Sequence, residues 1–219
     1  MRTRHSLTLS GKADMALKPT IHSHFRSVDP ILYTHVHLID EMTLSISRTP
    51  FVDLIEGITS QQLSEKAGAT IFGRLKKLFP SGRITPDRVL AIADQQLRDV
   101  GVSWSKAAYI KAIASAVKSK KISFKMLERL SDEEVIKALV QVKGVGRWTA
   151  EMFLMFSLGR EDIFSYGDLG LRRGMQKIYG FKYEPTLKQM EKITSRWAPF
   201  RTYGARILWR YLDSGLMKS

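Results

Sequence analysis

The chain has 219 residues, of which 35 are basic and 21 acidic, so its formal net charge at pH 7 is +14. A chain of this length buries a sizeable core without covalent cross-links, and its 44% hydrophobic content is typical of globular proteins. The sequence has no cysteine, which excludes disulfides, thiolate metal sites, a cysteine nucleophile and an iron–sulfur cluster. The positive charge favours nucleic acid as a partner over a membrane, because no segment is apolar over the length of a bilayer. Charge that only aids solubility is the alternative.

The chain divides into a short N-terminal arm and a helical remainder. Residues 1–20 are polar and basic with little periodicity, so we expect a mobile arm there and one main domain over 21–219. Asp29 followed by Pro30 predicts a helix N-cap with proline in the first turn. Apolar spacing and capping residues predict helices over 50–63, 65–78, 105–117, 134–142, 149–158 and 202–212, with others starting near 85 and 183. Convincing β-alternation is absent, so the predicted fold class is all-α.

A Gly-x-Gly turn, Gly144 to Gly146, lies between two of these predicted helices. Both glycines allow a positive φ and a close approach of another backbone. Backbone N–H groups that lead into a helix N-terminus bind anions, and Lys143 and Arg147 flank the turn. We therefore expect this turn to bind a phosphate. An ordinary helix corner with a glycine C-cap is the alternative.

A single carboxylate, that of Asp168, follows this turn between an aromatic-rich segment at 164–166 and an arginine-rich helix. Aspartate before a helix is commonly its N-cap. The same carboxylate is the candidate catalytic group, because it could stabilise positive charge that develops in a transition state. Both roles can coexist, since capping fixes the orientation of a carboxylate.

Five segments together resemble the helix–hairpin–helix DNA glycosylase superfamily, and within it the 3-methyladenine DNA glycosylase II family. They are Val142-Lys143-Gly144-Val145-Gly146-Arg147-Trp148-Thr149-Ala150, residues 167–173 around Asp168, the loop 56–64, the stretch 97–103 with Lys106 and Tyr109, and 197–201 with Trp209 and Arg210. The resemblance covers about residues 25–212. It implies a bilobal fold in which the N- and C-terminal helices form one lobe. A middle helical lobe, at about 55–165, forms the other, with a DNA cleft between them.

The resemblance also implies an activity. It is hydrolysis of the N-glycosidic bond of alkylated bases, of the 3-methyladenine and 7-methylguanine type, in duplex DNA, which initiates base excision repair. Asp168 matches the catalytic aspartate of the family. Superfamily members that also cut the DNA backbone carry a lysine two residues after the second hairpin glycine, where this chain has Trp148. We therefore expect a monofunctional enzyme, and we expect Trp148 to pack in the core rather than stack on a base.

The loop 60–64 is the candidate wedge, the side chain that fills the gap left when a base is extruded from the duplex. Gln62 is the favoured wedge residue, followed by Leu63, and capping of the next helix by Gln61 and Gln62 is the alternative. The expected DNA-binding residues are Lys143, Gly144, Val145, Gly146, Arg147, Thr149, Gln61, Gln62, Leu63 and Ser64. The expected base-pocket residues are Trp104, Phe164 and Tyr166, with Phe153 and Phe156 as further candidates.

Few other ligands are expected. By resemblance, the backbone carbonyls of Val142 and Val145 could hold a monovalent cation, Na⁺ or K⁺. No side-chain metal site and no other cofactor is expected, and His35 and His37 are interpreted as solvated or satisfied. The expected partner is duplex DNA with damaged or abasic sites and not a membrane, the expected state is a monomer, and the expected location is the nucleus, or the nucleoid in a prokaryote.

Two positions depart from the family pattern. Gly167 stands where many relatives have a first aspartate, and Ser64 stands where close relatives often carry a basic or imidazole side chain. Both lie in functional segments, so a catalytically weak or inactive homologue that binds abasic or distorted DNA is the second hypothesis. A helix–hairpin–helix module without lesion preference is the third, and it explains fewer of the matching segments.

Overall fold

The computed structural model describes residues 19–39 and 43–214. The expected basic arm, 1–20, lies outside these residues except at its end, where the first helix already begins at Pro19.

Within the described ranges the secondary structure is helical, without a β-strand, which confirms the all-α prediction. The α-helices are α1 (Pro19–Val28), α2 (Pro30–Tyr33), α3 (Pro50–Ser60), α4 (Glu65–Lys77), α5 (Pro86–Ala91), α6 (Asp94–Asp99), α7 (Trp104–Lys118), α8 (Phe124–Leu127), α9 (Asp132–Leu139), α10 (Arg147–Phe156), α11 (Leu169–Ile178), α12 (Leu187–Thr194) and α13 (Arg201–Asp213). Short 3₁₀ helices span Val36–Ile39, Pro80–Gly82 and Ser195–Trp197. No helix in the described part of the chain is long and apolar enough to cross a membrane.

Local side-chain chemistry sets the helix boundaries. Asp29 accepts the Leu32 N–H at 3.0 Å and so caps α2, as its position before Pro30 predicts. Glu134 accepts both the backbone N–H and the hydroxyl of Ser131, at 2.8 and 2.5 Å, and fixes the start of α9. Helix α3 ends at Ser60, three residues before its predicted end, because Gln62 has a φ of +56° that no α-helix accommodates.

The helices pack in two groups. Helices α3, α4, α5, α6, α7, α9 and α10 contact one another, with α3 and α7 at the centre. The second group joins both ends of the chain, since α1 and α2 pack together, α1 meets the 3₁₀ helix 195–197, and α13 packs on α11 and on the 3₁₀ helix 36–39. The start of α11 faces the start of α10, so residues at these two helix ends meet where the groups join.

One buried carboxylate ties the N-terminal helices to the C-terminal ones. Asp29 is 1% exposed, and its Oδ2 accepts the indole N–H of Trp197 at 2.8 Å and the hydroxyl of Tyr179 at 2.6 Å. Burial and the neighbouring Asp29 charge both raise the pKa of Tyr179, so the phenol stays a neutral donor. Buried polar groups paired in this way fix one arrangement of the helices, because an unpaired partner would be costly.

Candidate active site and nucleic-acid interface

The Gly-x-Gly turn connects α9 to α10, and its two glycines have different roles. Gly144 has a φ of +92°, and a Cβ atom there would lie 2.1 Å from Cγ of Tyr109, so only glycine fits. Gly146 has a φ of −89°, and a Cβ there would have no atom within 4 Å. Both glycines allow a positive φ, and only Gly144 of the two adopts one. Gly146 instead leaves open space in front of the first turn of α10, whose N–H groups can donate hydrogen bonds to an anion.

An open groove of about 670 Å³ lies beside this turn. Its lining includes six of the expected DNA-binding residues and the N-terminal part of α7. The lining residues are Gln61, Gln62, Ser103, Ser105, Lys106, Tyr109, Val140, Val142, Lys143, Gly144, Val145 and Gly146. The loop after α3 and the hairpin therefore face each other across one groove, as a clamp on one DNA segment requires.

Hydrogen bonds hold the loop after α3 against the hairpin. Gln61 donates to the carbonyl of Gly144 at 3.3 Å and to the hydroxyl of Thr149 at 3.1 Å, and Thr149 is buried. The Lys106 ammonium donates to the carbonyls of Thr59 and Gln61 at 2.8 and 2.7 Å, and burial lowers its pKa. These contacts hold the end of α3 in place against the hairpin, while Gln61 also lines the groove.

The next three loop residues differ in how free they are. Gln62 is exposed and has a φ of +56°, and Leu63 is 40% exposed. The Ser64 hydroxyl accepts the Ala67 N–H at 3.3 Å and so caps α4. Capping is therefore done by Ser64, not by Gln61 or Gln62. Gln62 and Leu63 have the exposure that a wedge needs, and their role as the wedge stays a prediction.

Arg147 is less available than expected. Its Nε donates to Glu151 at 3.0 Å, and its two terminal nitrogens donate to both oxygens of Glu133 at 3.2 and 3.1 Å. The guanidinium thus links α9 to α10 while two carboxylates balance its charge. Lys143 is exposed, and within the described residues it forms no ion pair, so it is the better phosphate ligand of the two.

Asp168 lies where the two helix groups meet. It is 9% exposed, and its Oδ1 caps α11 by accepting the Leu171 N–H at 2.7 Å. The same oxygen accepts the indole N–H of Trp209 at 3.1 Å, and Oδ2 accepts the indole N–H of Trp148 at 2.7 Å. The N-cap role is confirmed. Three N–H donors from α10, α11 and α13 hold the carboxylate in one orientation, which is what an electrostatic catalyst needs.

Residues 55–200 match the protein family described as "HhH-GPD superfamily base excision DNA repair protein". The chain belongs to this superfamily. DNA-3-methyladenine glycosylase 1 of Schizosaccharomyces pombe is 39% identical over 165 residues, which cover 74% of this chain and 72% of that protein. Alkylbase DNA glycosidase-like protein mag2 of the same organism is 32% identical over 196 residues, covering 85% and 90%. The solved structure of S. pombe 3-methyladenine DNA glycosylase Mag1 with abasic DNA has a TM-score of 0.82 at 35% identity, covering 89% and 97%.

Trp148 corrects an expectation about this HhH-GPD protein. It was expected in the core, but it is 41% exposed and donates its indole N–H to Asp168. Trp148 lies in the first turn of α10, which faces the start of α11. Its half-buried indole N–H needs an acceptor, and Asp168 provides it. The hairpin position at which relatives with lyase chemistry carry a lysine thus holds a donor to Asp168.

The aromatic residues expected to form the base pocket do not all lie near Asp168. Phe164 is 5% exposed and packs 5.7 Å from the Trp197 ring, so it belongs to the core. The Tyr166 hydroxyl hydrogen-bonds to that of Thr194 at 2.8 Å. Trp104 is 56% exposed beneath the guanidinium of Arg98, between two residues that line the groove.

Two indoles contact Asp168 directly, those of Trp148 and Trp209, and the Phe156 ring packs beside the second of them. Phe156 is 46% exposed and lies 5.9 Å from the Trp209 ring. Phe156 was a further candidate for the pocket, whereas Trp209 was noted only as part of a matching segment. The signal that could have identified Trp209 is its N–H group, which needs an acceptor when half-buried.

Two glycines flank Asp168 with opposite constraints. A Cβ at Gly170 would lie 3.0 Å from Asp168 Oδ1 and 3.1 Å from Trp209 Nε1, so glycine there keeps room for their hydrogen bond. A Cβ at Gly167 would have no atom within 4 Å. The Cβ of the aspartate that many relatives carry would therefore fit at Gly167. The packing does not require glycine there, and what the chain lacks is the carboxylate.

In the part of the chain that the structure describes, no three His, Cys, Asp or Glu residues cluster in a way that could hold a metal ion. His35 packs 4.7 Å from the Tyr211 ring, edge on. In the hairpin, the Val142 carbonyl accepts the Val145 N–H at 3.0 Å. A monovalent cation at these carbonyls stays a prediction.

Proposed function

We propose that this chain is a DNA repair glycosylase that hydrolyses the N-glycosidic bond of alkylated bases in duplex DNA. The observation that carries the proposal is the Asp168 carboxylate, held by three N–H donors where the two helix groups meet, together with the hairpin groove. The family membership and the relatives named above support the same reaction class. The substrates that we propose are purines alkylated at N3 or N7.

The mechanism follows from the charge of such a base. Alkylation at N3 or N7 makes the purine cationic and therefore a good leaving group. As the glycosidic bond breaks, the sugar gains oxocarbenium character, and a fixed carboxylate nearby stabilises that charge. Asp168 can also orient the water that attacks the sugar carbon. Trp148 stands at the position of the lyase lysine and its nitrogen offers no free amine, so we propose that the enzyme is monofunctional.

Access to the base requires its extrusion from the duplex, which costs a few kcal/mol. We propose that Gln62, with Leu63 beside it, fills the gap in the helix. The hairpin N–H groups and Lys143 would bind the DNA backbone. The net charge of +14 supports this mode, because phosphate contacts dominate non-specific affinity for DNA.

The state and surroundings of the protein are also part of the proposal. We propose a monomer that acts in the nucleus, or in the nucleoid of a prokaryote. It would use no cofactor other than a Na⁺ or K⁺ ion held by the hairpin carbonyls.

The deciding experiment measures base release from duplex DNA that contains 3-methyladenine or 1,N6-ethenoadenine. Wild-type protein should release the base, and Asp168→Asn should abolish release while the fold and DNA affinity persist. The amide keeps an acceptor for the Leu171 N–H but removes the charge. Full activity of Asp168→Asn would refute the role of this carboxylate.

A second candidate function is a catalytically weak homologue that binds abasic or distorted DNA. It is favoured by Gly167 and by Ser64, whose hydroxyl is engaged in capping α4. The 32%-identical relative named as glycosidase-like gives it further support. If wild type releases no base yet binds an abasic duplex far more tightly than an intact one, this function replaces the first. Gly167→Asp then tests the cause, because the side chain has room and should restore release if its loss was responsible.

A further inference from the structure

Two separate links join α10 to the segment that carries Asp168. The first is the hydrogen bond from the Trp148 indole to Asp168 Oδ2. The second runs through Ser165, whose hydroxyl donates to Glu151 on α10 at 2.5 Å and whose carbonyl accepts the Asp168 N–H at 3.1 Å. Ser165 is 0% exposed and Glu151 is 6% exposed. Water therefore competes little for the second link, and a hydrogen bond to a carboxylate is stronger than one between neutral groups.

Glu151 is itself held on its other side. Its Oε1 accepts Nε of Arg147 at 3.0 Å, and the terminal nitrogens of Arg147 bind Glu133 on α9. A continuous series of polar contacts thus extends from the two helices of the hairpin to Ser165. It passes behind the turn that faces the groove.

We propose that Ser165 and Glu151 are positioning residues that set the distance between the hairpin helix α10 and the carboxylate of Asp168. Without the Ser165 hydroxyl, the side-chain link from Glu151 is lost and the Trp148 indole alone spans from α10 to Asp168. A displacement on the order of 1 Å at a reacting group can reduce a rate about 100-fold. The expected change in reaction rate rests on the proposed function, whereas the expected change in the position of Asp168 does not.

The test compares Ser165→Ala with a matched control, Ser157→Ala. Ser157 is 2% exposed, and its hydroxyl also donates to a carboxylate, that of Asp53 at 2.9 Å. Each variant removes one buried hydroxyl bound to one carboxylate, so both should lose similar thermal stability. Ser165→Ala should lower the single-turnover rate of base release about tenfold or more with unchanged DNA affinity. Ser157→Ala should stay within about twofold of wild type, and equal rate losses in the two variants would overturn the proposal.

A second measurement does not depend on base release. The chain has four tryptophans, so an NMR spectrum shows four indole N–H signals, assignable with single Trp→Phe variants. Ser165→Ala should shift the signals of Trp148 and Trp209, because both indoles donate to Asp168, and Ser157→Ala should leave them in place. Unmoved signals in Ser165→Ala would refute the positioning role. If wild type releases no base, the proposed function fails while these signals still decide the positioning role.

Discussion

Replacing Gly144 with alanine tests whether the hairpin has the close geometry described above. The new Cβ would lie 2.1 Å from Cγ and 2.5 Å from Cβ of Tyr109, on a backbone with a φ of +92°. The left-handed backbone costs a non-glycine residue about 1–2 kcal/mol. Forced overlap in a packed region costs about 1–3 kcal/mol more. The free energy of unfolding should therefore fall by about 2–5 kcal/mol, which lowers the melting temperature of a protein of this size by about 4–20 °C.

Gly146→Ala is the matched control, because it adds the same methyl group two residues away. There the φ is −89° and the Cβ has no neighbour within 4 Å, so stability should change by about 1 kcal/mol or less. The methyl group would instead occupy the space in front of the first turn of α10, where a phosphate must approach. DNA affinity should fall for intact and damaged duplexes alike, and the dependence of affinity on salt should become shallower.

Thermal unfolding and DNA titrations at several salt concentrations separate the two effects. A wild-type melting temperature for Gly144→Ala would contradict the close approach of Tyr109. Unchanged affinity and salt dependence for Gly146→Ala would contradict phosphate binding by the hairpin. Equal losses of stability in both variants would mean that the two glycines do not have the different roles assigned to them.

Two further predictions concern the charged and aromatic groups of the site. Lys143→Ala should reduce the slope of log affinity against log salt by about 1. Arg147→Ala should leave that slope nearly unchanged, because two carboxylates already bind the guanidinium. It should instead lower the melting temperature, since those contacts are lost. Equal changes in slope would show that Arg147 reaches the phosphates despite these contacts. Trp209→Phe removes one donor to Asp168 but keeps a ring beside Phe156, so the rate of base release should fall about tenfold, equivalent to about 1.4 kcal/mol, at constant DNA affinity. A rate equal to wild type would mean that the Trp148 indole and the Leu171 N–H suffice to hold the carboxylate.

Local sequence signals predicted much of the fold. N-caps such as Asp29, Ser131 and Asp168 act over three residues, so their effect can be read from neighbouring positions. The pair of Arg147 with Glu151 has the standard helical spacing of i and i+4, but Arg147 was expected to bind a phosphate and this pair was not predicted. Helix order and the all-α class followed from these signals and from apolar spacing.

Contacts between distant segments were not predictable in this way. Trp148 was expected to pack in the core rather than stack on a base, but its indole N–H donates to Asp168, 20 residues away in the sequence. Phe164 was expected at the pocket because it is near Asp168 in sequence, yet its ring points to Trp197. The second partner of Arg147, Glu133, lies across the hairpin and only the turn geometry brings it close. In each case the deciding neighbour comes from another helix.

The position two residues after Gly146 links the hairpin to the chemistry. An indole nitrogen donates one hydrogen bond and has no lone pair free for attack on a sugar carbon. Trp148 can therefore orient Asp168 but cannot form a covalent intermediate, which agrees with the proposed hydrolysis by the carboxylate and a water molecule. Under the proposal, the same helix start also supplies the N–H groups for a DNA phosphate, so α10 would position both the DNA backbone and the carboxylate. The proposed hydrolysis would thus depend on how firmly α10 is joined to the segment of Asp168, and Ser165 and Glu151 provide the second of its two links.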